Sequence, residues 1–150
     1  MCMRVVLYQT EIAGNFGAVL RTASAFGAAV EAIEPLGFPL DAKALRRAAM
    51  DYRSGVDVTR HRDWSSYAES YPEVRRVLMT TRGDVELQEF AFRAGDHLVF
   101  GKEGSGAPEL VHEAADARVR VPMRGRSLNL SVAVGVCLWE GLRQIGGLGT

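Results

Sequence analysis

Asn15, Arg21, Glu103, Ser127 and Asn129 are the side chains here whose types and settings could build a polar ligand site. Glu103 lies in FGKEGSGAP, Phe100–Pro108, directly behind the apolar run that begins at His97. Gly101, Gly104 and Gly106 have no Cβ, so this backbone can come close to a flat ligand. The loop is not a nucleotide phosphate loop. Glu103 follows Lys102 where Ser or Thr is required, and Asp96 takes the place of the upstream glycine. Its glycines do not follow the dinucleotide order GxGxxG either. Glu103 can orient the loop and hold a cationic or hydroxyl-bearing ligand, or it can cap a tight strand–helix turn. The spacing leaves both open.

The same duality holds at RSLNLS, Arg126–Ser131. Asn129 and Ser131 are good helix N-caps, because their side chains accept from the first unpaired N–H groups. Asn129 and Ser127 could equally present polar groups to a pocket, with Val121 and Met123 as an apolar wall for a purine ring. A third polar loop, IAGNFGAVLR, runs from Ile12 to Arg21. A loop asparagine and a helix arginine at one pocket would suit a phosphate or a ribose. Asn15 and Arg21 meet only if Asn15 precedes the helix. Other chemistries find no support. His61, His97 and His112 lack metal-ligand spacing and no Cys/His cluster exists, so no metal is expected. There is no Gly-x-Ser-x-Gly elbow. Cys2 reads as a frayed terminal thiol and Cys137 as core filler, not as a disulfide framework.

These loops need strands and helices to hold them. Short β-branched runs predict strands at 4–8, 29–34, 56–59, 74–80, 98–100 and 119–122. Between them, helices are expected over 18–26, from Asp41 through Ala49, from Asp63 to before Pro72, over 108–115 and over 130–145. Residues 82–96 read as a loop with a short edge element. The alternation gives an α/β fold with a mostly parallel sheet flanked by helices. The last helix is apolar on every side, so it should be buried in the core or in a subunit interface. A length of 150 residues favours one domain spanning 1–150. No apolar stretch reaches the roughly 18 residues of a membrane span, so no membrane association and a cytoplasmic location are expected. The 18 basic and 18 acidic residues cancel. Neutral net charge does not announce a nucleic-acid binder, but a local patch or a dimer groove can still be basic.

The segments VVLYQTEIAGNFGAVLRTA, IEPLGF, LRRAAMDY, TTRG, DHLVFGKEGSGAP, VPM, RSLNLSVAVGV and WEGLRQIG together resemble the SPOUT class of RNA methyltransferases. Within that class the chain is most similar to the small tRNA (cytidine/uridine) wobble-position 2′-O-methyltransferases. The resemblance covers nearly the whole chain. It implies an α/β-knot fold with a C-terminal trefoil knot, S-adenosylmethionine bound in the knot loops, a homodimer and a tRNA substrate. It implies cofactor contacts from Met79, Thr80, Gly101, Glu103, Val121, Met123, Ser127 and Leu130. It gives Arg21 a role in handling the ribose and its phosphate, and it matches Asn15 and Asn129 to motif asparagines. Arg46, Arg47 and Arg53 are expected to grip RNA across the dimer groove.

The chain also departs from the family pattern. Ala18 replaces an asparagine, Phe16 stands within the usual Asn-Thr-Gly, Val132 follows Ser131, Trp139 replaces a tyrosine, and the loop Met123–Ser127 is short. Most of these bear on substrate choice and RNA grip, whereas the short loop bears on how the cofactor is held. Three alternatives follow: a ribose methyltransferase for another tRNA or rRNA position, a non-catalytic RNA- or cofactor-binding member of the fold, and a generic nucleotide-binding domain.

Overall fold

A computed structural model describes residues 3–41, 43 and 57–149. Seven strands are described: β1 (Arg4–Tyr8), β2 (Ala29–Ile33), β3 (Val58–His61), β4 (Arg76–Met79), β5 (Val85–Glu86), β6 (His97–Phe100) and β7 (Ala117–Arg120). They form one sheet in the order β3-β2-β1-β6-β4-β7-β5, and every pairing is parallel. The helices are α1 (Ala13–Phe26), α2 (Trp64–Ser70), α3 (Glu109–Ala114) and α4 (Leu130–Ile145), and a short 3₁₀ turn spans Leu87–Glu89. The expected parallel α/β architecture is therefore present. The expected helix after Asp41 falls almost wholly outside the described residues.

Side-chain parity explains the layers. Val5 and Leu7, Val77 and Met79, and Leu98 and Phe100 face one side of the sheet, together with Phe16 and Leu20 of α1 and Val134 and Leu138 of α4. The intervening Val6, Leu78 and Val99 face the other side, with Trp64 and Tyr67 of α2 and Val111 of α3. Strands buried on both faces need continuous apolar sequence rather than alternation, as RVVLY and RVLM show.

The second face also buries a polar layer. Glu31 is fully buried, accepts from Arg4 at 2.8 Å and meets His61 Nε2 at 2.6 Å. Tyr67 Oη lies 2.7 Å from His97 Nδ1, and the Arg76 guanidinium stacks over the Tyr67 ring. Burial, reinforced by the positive charges of Arg4 and Arg76, pushes His97 down to about 4. Arg76 donates to the Tyr71 carbonyl at 2.6 Å, while its buried Nε has no partner.

Several boundaries differ from expectation. α1 begins at Ala13 rather than Ala18, so Asn15 and Gly17 are helical. No side chain of the adjoining residues caps this helix at Ile12, which is why its start was not readable locally. β3 begins two residues late, at Val58, and β7 starts at Ala117. The edge element expected within 82–96 is β5, paired to β7. α2 is capped as expected, with Ser66 N donating to the Asp63 carboxylate at 2.8 Å. Likewise α4 spans Leu130–Ile145 with Asn129 as its N-cap. It is only partly covered: Leu130, Val134, Cys137, Leu138 and Leu142 are buried, while Val132, Val136 and Trp139 are exposed.

Candidate active site

β6 is inserted between β1 and β4, although β4 precedes it in the chain. The loops following β1, β4, β6 and β7 thus leave the same edge of the sheet at a reversal of strand order. That is where open parallel sheets form ligand crevices. A cavity of about 650 Å³ opens there, within the ordinary range for small-molecule sites.

The β4 loop is held by backbone contacts. Thr80 N donates to Val119 O at 2.8 Å and Gly83 N to Thr80 O at 3.0 Å. Gly83 lies against the Val119–Arg120 backbone, where any Cβ would collide. In the β6 loop, Gly101 likewise lies against Gly106 and Ala107, leaving no room for a side chain. Lys102 and Gly106 exchange both backbone hydrogen bonds, at 3.1 and 3.0 Å, which folds the glycine loop into a tight hairpin.

Glu103 projects from that hairpin to the start of α1. Its carboxylate accepts from Glu11 N at 2.9 Å, Ile12 N at 3.0 Å and Asn15 Nδ2 at 3.2 Å. Glu11 reciprocates, accepting from Gly104 N at 3.0 Å. A carboxylate 92 residues away in sequence therefore holds the backbone entering α1, up to its N-cap Ile12, and it sits at the positive end of the helix dipole. Burial pushes the Glu103 carboxyl up, but the N–H groups of Glu11 and Ile12 and the Asn15 amide outweigh it. The net effect holds it below the usual carboxylate range.

Asn15 continues the chain of contacts. Asn129 Nδ2 donates to Asn15 Oδ1 at 3.0 Å, and Asn129 Oδ1 accepts from Ser131 N at 2.9 Å. Asn129 thus caps α4 and also lines the cavity. The remaining wall is apolar, formed by Val121, Met123, Leu130 and Ala133. Cys137 also lines it, and burial pushes its thiol up to about 12, so it stays protonated and is no nucleophile near neutral pH.

All eight residues expected to touch the cofactor, namely Met79, Thr80, Gly101, Glu103, Val121, Met123, Ser127 and Leu130, line this one cavity, as do Asn15 and Asn129. Arg21 does not. With Asn15 inside α1, the two are six residues apart on one helix, roughly 120° around it and about 9 Å along it. The condition for them to meet therefore fails, and Arg21 stands exposed outside the cavity lining. Arg46, Arg47 and Arg53 lie outside the described residues. Sequence reasoning missed Arg82 and His112, which also line the cavity. His112 lacks metal-ligand spacing, and nothing in the sequence pairs it with an arginine 30 positions earlier. Among the described residues no cluster of His, Cys, Asp or Glu could hold a metal ion, and no helix is long and apolar enough to cross a membrane.

The model of the SpoU rRNA methylase family matches residues 2–139. The chain belongs to the SpoU methylase family. A Burkholderia pseudomallei tRNA (cytidine(34)-2′-O)-methyltransferase is 46% identical, with 95% of each chain covered. The Escherichia coli K12 protein of the same name is 38% identical over 96% of this chain and 94% of its own. Among solved structures, one that gives insight into 2-OH methylation of C/U34 on tRNA superposes with a TM-score of 0.88 at 42% identity, covering 97% of both chains. An AdoMet-bound rRNA methyltransferase from Sinorhizobium meliloti superposes at 0.82 with 27% identity, but this SpoU methylase spans only 56% of that chain. The parallel sheet flanked by helices is thus shared with solved RNA methyltransferases.

Proposed function

We propose that this SpoU methylase is a tRNA 2′-O-methyltransferase acting on the ribose of cytidine or uridine at position 34, with S-adenosylmethionine as donor. The observation that carries the reading is near-complete coverage, in both directions, of relatives named for that reaction. The cavity suits the cofactor. Its glycine hairpin admits close backbone approach, its apolar wall suits an adenine, and its amides and hydroxyls suit a ribose. When bound, S-adenosylmethionine supplies a methyl group already activated on a sulfonium, so no metal is called for.

The chain's own residues have two tasks. Asn15 and Asn129, bonded to each other beside the cavity, fix the starts of α1 and α4 relative to the glycine hairpin. That rigidity serves orientation, which can be worth roughly 7–11 kcal/mol in a displacement. Arg21 stays protonated, so it cannot take the proton of the ribose hydroxyl. Its role is to stabilise developing charge on the 2′-oxygen and to hold the adjoining phosphate. Since Arg21 lies outside this protomer's cavity lining, it would serve the partner's site in a homodimer. The exposed stripe Val132, Val136 and Trp139 on α4 supports such a dimer, because these positions at i, i+4 and i+7 share one helix face. We further assign the RNA groove to Arg46, Arg47 and Arg53, a cytoplasmic location to the protein, and a trefoil knot to the β4–β7 crossing, which the strand order supports.

The test is nucleoside mass spectrometry of tRNA from cells lacking this protein, incubated with it and S-adenosylmethionine. The reading expects new 2′-O-methylcytidine or 2′-O-methyluridine mapped to the anticodon. Methylation elsewhere in tRNA, or in rRNA, would move the substrate. Cofactor and RNA binding with no methyl transfer would leave a non-catalytic member of the fold.

A further inference from the structure

Two polar groups of different character line the cavity. Glu103 already accepts from Glu11 N, Ile12 N and Asn15 Nδ2, so it has little capacity left for a ligand. Arg82 NH2, by contrast, lies 2.7 Å from His112 Nε2. Arg82 is fixed at its base, since its own N–H donates to Thr80 Oγ1 at 3.1 Å in the tight β4 turn. His112 is fixed too. It is buried on α3, and Arg118 donates to its carbonyl at 2.8 Å. Because a guanidinium can only donate, His112 Nε2 must accept and its Nδ1 must carry the proton. Burial first, then the charges of Arg82 and Arg118, hold the imidazole below its ordinary value, with Glu109 opposing them. A neutral acceptor aims the guanidinium without cancelling its charge. Among the described residues Arg82 has no carboxylate partner.

An aimed but uncompensated guanidinium at a cavity wall fits an oxyanion. We propose that Arg82, positioned by His112, binds the α-carboxylate of the cofactor's methionine arm. The inference rests on the S-adenosylmethionine reading given above. The choice of arm follows from charge. The adenosine portion is neutral and suits the apolar wall of Val121, Met123 and Leu130. The methionine arm carries the only anion of the molecule.

The experiment is calorimetric titration of S-adenosylhomocysteine and of 5′-methylthioadenosine, which lacks the amino-acid arm, into the full chain. Arg82→Ala is expected to weaken S-adenosylhomocysteine by about tenfold to a hundredfold, the range of one charge-assisted hydrogen-bonded contact, and to leave 5′-methylthioadenosine unchanged. Arg82→Lys should fall between. His112→Leu should produce a smaller loss, again confined to S-adenosylhomocysteine. It should also flatten the change in affinity that the wild type shows as acid protonates His112. Equal losses for both ligands would mean a general cavity defect and would overturn the proposal. So would unchanged S-adenosylhomocysteine affinity with weakened tRNA binding, which would give Arg82 to an RNA phosphate. If the wild type binds neither ligand, the cofactor reading itself fails, an outcome distinct from any variant-specific result.

Discussion

Glu103→Ala separates a carboxylate that holds the fold from one that holds the ligand. The side chain receives three hydrogen bonds, from Glu11 N, Ile12 N and Asn15 Nδ2. Each is charge-assisted and would contribute roughly 1.5–3 kcal/mol if buried. The site is half-buried, and water can replace much of what is lost. The expected destabilisation is therefore about 2 kcal/mol in all. For a chain of this length that corresponds to a fall in Tm of roughly 4–8 °C. Urea denaturation followed by far-UV circular dichroism would measure it, with Glu103→Gln intermediate because its amide keeps one acceptor and opposes the remaining donors. The depressed carboxyl of Glu103 sets a pH signature as well. Its stabilisation is fully present above the unfolded carboxylate range and is lost as pH falls through the folded value. Glu103→Ala should lack that part of the acid limb. A Glu103→Ala protein within about 0.5 kcal/mol of wild type, with an unchanged acid limb, would refute this structural role and return Glu103 to direct ligand contact.

Four further outcomes are expected. Arg21→Lys should lower turnover about tenfold or more, since the bidentate fork is lost while the charge remains, yet leave S-adenosylhomocysteine affinity intact in titration. Acid should destabilise the protein through His97, whose folded value lies near 4. The unfolded chain then binds one more proton between roughly pH 6.5 and 4, so stability falls by about 3 kcal/mol across that window and no further from this group below it. Denaturation of His97→Gln at a series of pH values should show a shallower loss. Trp139→Glu should shift the molecule from dimer to monomer in sedimentation, by placing a charge in the apolar stripe of α4. Gly101→Ala should cost the cavity its cofactor in the same titrations, because its methyl would collide with the Gly106–Ala107 backbone.

What the sequence disclosed divides along physical lines. β1, α2 and α4 were readable because their signals are local: RVVLY is a β-branched run, and Asp63 and Asn129 each cap the helix that follows them. The start of α1 was not, because the carboxylate that holds its entry belongs to Glu103, far along the chain. That single non-local contact displaced Asn15 from loop to helix and parted it from Arg21. The cavity's composition was readable through motif resemblance, and the residues so implied do line one cavity. Arg82 and His112 lay hidden because their pairing depends on how α3 packs beside the β4 turn, which no spacing rule reports.

The strand order also has a consequence for how the molecule comes into being. β1, β2 and α1 adjoin one another early in the chain, but β4 has no neighbour until β6 and β7 exist to flank it. Ile12 and Asn15 come from the start of α1, but the rest of the cavity lining begins only at Met79, and Asn129, which donates to Asn15, directly precedes α4. The β1–β6 pairing joins Arg4 to His97, 93 residues further on, and pairings of such wide sequence separation form slowly. A polypeptide clipped ahead of α4 would keep the strands but lose Leu130, Ala133 and Cys137 from the lining, so full ligand affinity would report completion of the fold.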